Sequence, residues 1–221
     1  GRWERGELLA HDAVDIARDI EVDSTLASSL NALAISFDSK AKDLYELGEL
    51  DDNQFLQLAD SVITIYDQKL EVLARFDLPR YEAYTYQGIG QLYLQTVKLR
   101  PQDAQKALEN LEIGRAIALT TNDQLLQFTS QLWYALSLLH QEKFNEILFT
   151  LDELEPMLDI DSLNSLAKYM FYNLRLMTEL HLAGRDDLVS VSQQTQKYLQ
   201  EKWMIDHQAE IASMDRRYET S

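Results

Sequence analysis

The chain has 221 residues, is 46% hydrophobic and contains no cysteine. Its 37 acidic residues outweigh 20 basic ones, giving a formal charge of −17, which disfavours nucleic acid and anionic membrane surfaces as partners. The missing thiols exclude disulfides, thiolate metal sites and cysteine nucleophiles, and they fit either cytoplasm or periplasm.

Gly and Pro are scarce, seven and three, and fall between stretches whose apolar residues recur every three to four positions. That period predicts helices over 3–19, 24–46, 52–75, 80–98, 102–120, 123–141, 143–155, 162–183 and 185–219. The intervening breaks offer Asp23 or Ser24, Asp51 or Asp52, Pro79, Pro101, Asn122, Asp161 and Asp186 as caps or breakers. Strand alternation and hairpin dipeptides are missing, so the chain is expected to be all-α. Breaks this short favour antiparallel helical hairpins. No apolar run approaches the roughly 20 residues that span a bilayer.

Within the fourth helix, Tyr86, Ile89, Gly90 and Tyr93 alternate large and small residues, and Ala107, Leu111 and Gly114 do so in the fifth. A small residue lets two helices approach while large ones fill the flanking groove. A second copy runs through Tyr134, Ala135 and Leu138, then Phe144, Ile147, Leu151 and Leu154. A weaker third has Leu176 and Leu180 before the Gly184 turn. This pattern resembles the tetratricopeptide repeat over roughly residues 80–200. The copies depart from that family in a spacing longer than its roughly 34 residues, in the extended turn "KLRPQD", and in Ile147 where a small residue belongs. The resemblance implies a TPR-like α-solenoid over 1–200, ending in a long C-terminal helix whose signalling or coiled-coil part begins at 201. An irregular helical bundle is the alternative.

Chemistry-bearing motifs are few. His11, His140, His181 and His207 lack metal-ligand spacing, "GIG" at 88–90 follows no strand, and "DELEPMLDIDS" lacks the Gly and terminal Glu of a calcium loop. No enzyme activity, metal or cofactor is expected. In a solenoid the first helix of each hairpin lines the concave, ligand-binding side. Tyr84, Gln87, Gln91 and Gln95 form a polar stripe turned away from Tyr86, Ile89 and Tyr93. Matching register adds Thr129 and His140 from the second copy, and Phe171, Thr178 and His181 from the third. Such a face could take a peptide, a small ligand or a partner protein. Its alternative is an ordinary solvated helix surface.

The chain opens on "GRWERGELL" and closes on "IASMDRRYETS" with a helical stripe still running through Trp203, His207, Ile211, Met214 and Tyr218. Both ends are therefore expected to be boundaries within a longer protein. The stripe nears heptad spacing, as a helix entering a coiled coil and a homodimer would. "DRRYETS", with Arg217, Tyr218 and Glu219, resembles a junction in membrane-bound bacterial signalling proteins. There, repeat hairpins lead through a coiled coil and one membrane helix to a cytoplasmic output domain: a GGDEF-type diguanylate cyclase, a histidine kinase or a DNA-binding regulator. The resemblance implies a periplasmic sensor domain. The alternative is a cytoplasmic scaffold for protein–protein interaction.

Overall fold

The computed structural model describes residues 2–19, 23–160, 163–182 and 197. Among them the chain is all-helical, with eight α-helices and no strand: α1 (Arg2–Asp19), α2 (Asp23–Glu46), α3 (Asp52–Leu73), α4 (Pro79–Thr96), α5 (Asp103–Leu119), α6 (Gln124–Leu138), α7 (Phe144–Leu154) and α8 (Ser165–Leu182). The expected helix over 185–219 lies outside the described residues, with Trp203, Ile211, Met214, Arg217, Tyr218 and Glu219.

Local chemistry explains the boundaries. Asp51 caps α3 by accepting from the backbone N–H of Gln54 at 2.8 Å, and the Gln54 side chain returns the bond to the Asp51 N–H. Pro79 opens α4, where a missing N–H goes unnoticed. Several expected starts move, three of them with a change of the residue that breaks or caps the helix. Pro101 and Gln102 stay in a turn, and α5 begins at Asp103. Asp123, not Asn122, accepts from the Leu126 N–H at 3.0 Å. Asn164 accepts from the Ala167 N–H at 2.8 Å and α8 starts at Ser165 rather than near 162, while Asp161 lies outside the described residues.

Behind α2, Gly48 adopts φ +71°. The Glu49 N–H reaches Leu44 O and the Gly48 N–H reaches Tyr45 O, a Schellman closure that suits glycine. The same pair of bonds follows α6, from Lys143 N–H to Leu138 O and Glu142 N–H to Leu139 O, but Glu142 holds the left-handed position at φ 55°.

The chain divides into two compact units, 1–137 and 138–221. In the first, each of α1 to α5 packs on its neighbour in sequence. One core cluster gathers Val14 of α1, Ala27, Leu30 and Leu33 of α2, and Val72 and Leu73 of α3. A second joins Ala34 to Ala59, Val62 and Tyr66 of α3 and to Ile89 and Leu92 of α4. Burying each large side chain contributes about 1.5–3 kcal/mol.

The α4–α5 contact is close because of two glycines. A Cβ on Gly90 would fall 2.4 Å from Leu111 Cγ, and one on Gly114 would fall 3.2 Å from both Ala83 O and Tyr86 Cβ. Each helix thus presents a gap to the other's bulk, at the positions that the sequence pattern marks.

The extended turn between α4 and α5 closes around Asp103, which is fully buried. Its carboxylate accepts from Thr96 Oγ1 at 2.6 Å and Arg100 Nε at 2.8 Å. Arg100 reaches on to both oxygens of Asp60 on α3, at 3.0 and 2.7 Å. In the second unit α7 packs on α8, and Arg175 ties them, lying 3.3 Å from Asp152, 3.2 Å from Glu155 and 3.0 Å from Glu179.

Candidate functional site: a cavity between α2, α3 and α4

The buried stripe of α3 runs Phe55, Ala59, Val62, Tyr66, Lys69, Val72 and Leu73. A lysine on that register is carried inward with its neighbours, and Lys69 is only 2% exposed. Its Nζ donates to Asn31 Oδ1 on α2 at 2.8 Å. An ammonium has three donors, and this is its sole hydrogen bond among the described residues. Burial pushes its pKa down, to about 8, because a low-dielectric site disfavours the charged form.

Lys69 lines a cavity of about 610 Å³. Helix α2 contributes Ala27, Ser28, Asn31 and Ile35, and α3 adds Tyr66 and Leu73. Leu78 and the α4 residues Tyr81, Tyr84, Gln87, Gly88 and Gln91 complete the lining. The volume falls within the range of small-molecule sites, and the mixture of aromatic walls with a few polar groups is their usual composition. Tyr66 is held against α4 because position 88 is glycine: a Cβ there would fall 2.9 Å from the ring. Burial, then the charge of Asp38, raises the Tyr66 phenol to about 12, so it remains a neutral hydroxyl. Gln87 Oε1 accepts from Ser130 Oγ of α6 at 3.1 Å. That bond fixes the carboxamide and leaves its NH2 as a donor.

Three residues of the expected stripe, Tyr84, Gln87 and Gln91, therefore meet at one cavity. Gln95 does not line it, and its Oε1 is buried without a hydrogen-bond partner. Thr129 turns back to bond Leu126 O at 3.3 Å. His140 is exposed in a short 3-10 turn after α6. Phe171 and Thr178, expected on a recognition face, are instead core. Both are 0% exposed, Phe171 packs edge-on to Tyr172 at 5.1 Å, and Thr178 bonds Leu174 O at 2.8 Å. The buried face of α8 runs Phe171, Leu174, Thr178, so the register carried over from α4 selects the wrong face. His181 stacks on Phe144 at 4.5 Å and faces Met177 O at 3.0 Å, so it fastens α8 to α7.

The sequence reading missed Lys69 and Asn31. The available signal was a lysine at an a-type position of an otherwise apolar stripe.

Fold and site together define an all-helical chain with a polar-aromatic cavity built on three consecutive helices. No protein-family model matches the chain, and no curated protein matches it. No helix among the described residues is long and apolar enough to cross a membrane.

Proposed function

We propose that this chain is the ligand-binding sensor segment of a bacterial membrane-bound signalling protein, placed on the extracytoplasmic side. The observation that carries the reading is the convergence of Tyr84, Gln87 and Gln91 on a cavity of a size to hold a small molecule. A space of about 610 Å³ with a buried cation in its wall suits something small better than an extended protein segment, which favours the sensor over the scaffold.

The helices pair as TPR-like hairpins in this reading. The reciprocal fit of Gly90 with Leu111 and of Gly114 with Tyr86 supports it. Ligand entering between α2, α3 and α4 would favour one packing of these helices over another. A ligand shifts such an equilibrium only by its differential affinity for the two states. The C-terminal helix, through Trp203, Ile211, Met214 and Tyr218, would carry the change to a paired copy and onward to an output domain. That half rests on the resemblance of "DRRYETS" and lies outside the described residues.

Two experiments test the halves separately. A ligand-observed NMR screen of amino acids, dipeptides and small organic acids should find binders that Ile35→Trp excludes. Ile35 lines the cavity yet is 52% exposed, so a larger ring there closes the mouth without entering the core. A screen whose binders ignore Ile35→Trp refutes the site. For the transmission half, deleting 208–221 should weaken self-association in sedimentation while leaving helicity unchanged. Loss of the fold on deletion would make the tail a structural cap, and the scaffold reading would replace the sensor.

A further inference from the structure

Resting on the cavity being the binding site, we infer that its ligand is a small organic monocarboxylate, with the carboxylate on Lys69 Nζ and an apolar or aromatic body against Ile35, Tyr81 and Tyr84. The lining holds one cation and no Asp or Glu, in a chain with 37 acidic residues and a formal charge of −17. Cations in such a chain find carboxylates easily; Arg100, Arg80 and Arg175 each have one within 3.3 Å. Among the described residues Lys69 has only the neutral Asn31 amide. Buried charges are ordinarily paired, and no carboxylate among the described residues lines the cavity to pair with Lys69, so a ligand is the counter-ion in this inference.

The charge of that counter-ion follows from the lining. A single ammonium balances a monoanion. A phosphate dianion would remain half neutralised in a poorly solvated site, and no guanidinium lines the cavity to meet its oxygens in the usual forked geometry. A neutral ligand would leave two ammonium donors unused and displace whatever water serves them.

The remaining lining sets the rest of the molecule. Leu73, Leu78 and Ile35 with three tyrosines offer an apolar wall, and the Gln87 NH2 and the Gln91 amide offer secondary polar contacts. Tyr66, Tyr81 and Tyr84 are the other titratable groups of the lining. Asp38, which acts on Tyr66, is held by Lys42 at 2.6 Å. Lys69 is accordingly the one group whose charge the ligand must answer.

The test uses the 221-residue chain in chloride-free buffer, titrated calorimetrically with phenylacetate, octanoate, phenylacetamide and inorganic phosphate. The expected result is binding of at least one carboxylate below about 10 mM. Phenylacetate should bind at least about tenfold more tightly than its amide, since a charge-assisted bond is replaced by a neutral one. Lys69→Met should erase that preference while keeping the helical circular dichroism. Near pH 9 the wild type should also take up protons on binding, seen as a heat that varies with the ionisation enthalpy of the buffer, and Lys69→Met should not. Phosphate binding as well as the carboxylates, a preference that survives Lys69→Met, or no carboxylate binding would each overturn the inference. If phenylacetamide binds as well as phenylacetate and Ile35→Trp excludes both, the cavity remains the site and only the carboxylate falls. If none of the four binds and the wider screen also fails, both fall.

Discussion

Gly90→Ala is the smallest change that probes the α4–α5 seam. The new methyl carbon would fall 2.4 Å from Leu111 Cγ, 2.8 Å from Leu111 Cδ2 and 3.2 Å from Ala107 O. The nearest atom is the branch point of a side chain only 1% exposed, so it has no free rotamer to retreat to, and the third contact is backbone. Overpacking of this kind costs about 1–3 kcal/mol. Against it stands the propensity gained by removing a helical glycine, at most about 1 kcal/mol. The balance is a loss of about 1–2 kcal/mol, or roughly 2–8 °C in Tm for a chain of this size. Urea unfolding followed at 222 nm measures it, and a double-mutant cycle with Leu111→Ala isolates its origin. Leu111→Ala alone should cost about 2–5 kcal/mol, but at least about 1 kcal/mol less in the Gly90→Ala background, because the clash has gone. Gly114→Ala should be milder, since its nearest approaches are 3.2 Å. Gly90→Ala that leaves Tm unchanged or raises it, or a cycle that is additive, would refute the close approach.

The buried cation gives a pH signature. Lys69 has a folded pKa near 8 against 10.5 unfolded, so between those values the unfolded chain binds more protons and stability rises with pH. Below pH 8 the destabilisation is present in full, on the order of 3 kcal/mol. Lys69→Met should therefore stabilise the unliganded protein at pH 7 and flatten the pH 8–10 rise in urea midpoints; a destabilised variant would mean that the ammonium is already paired. At the α4–α5 turn, Asp103→Ala should cost about 3–5 kcal/mol because Arg100 and Thr96 lose a fully buried partner, while Asp60→Ala, on a half-exposed side chain, should cost under about 1 kcal/mol; equal losses in thermal melts would contradict this division. Glu142→Gly relieves the one left-handed non-glycine residue among those described and should stabilise by about 1 kcal/mol, with Glu142→Val the destabilising control.

What the sequence makes legible is what depends on local period. Helix positions follow from apolar spacing, and their starts err by a residue where two capping residues stand side by side, as at Asn122 and Asp123, and by three at α8. The Gly90–Leu111 seam is legible because consecutive helices with a short connection have to face one another. Tyr84, Gln87 and Gln91 are legible as a stripe because all three lie on one helix. Phe171 and Thr178 are misplaced for the complementary reason. Transferring a register from α4 to α8 assumes equivalent repeats, and α8 packs into its core the positions that line a cavity on α4.

Lys69 shows where single-helix reasoning stops. Its meaning depends on Asn31, 38 residues earlier, and on α4 residues that follow it, so no period of α3 alone can supply it. Read from α3 by itself, the residue is a defect in an apolar stripe. With all three helices in place, the same residue stands in an aromatic cavity with one neutral acceptor. Replacing it by a hydrophobe of similar volume would relieve the core at once, so packing gives no reason for a lysine there. A group that weakens the empty protein and meets no charge among the described residues of the cavity lining is what the proposed anion site requires. Binding of an anion there would return part of its energy as stability, so the filled and the empty protein would differ most at this one ammonium.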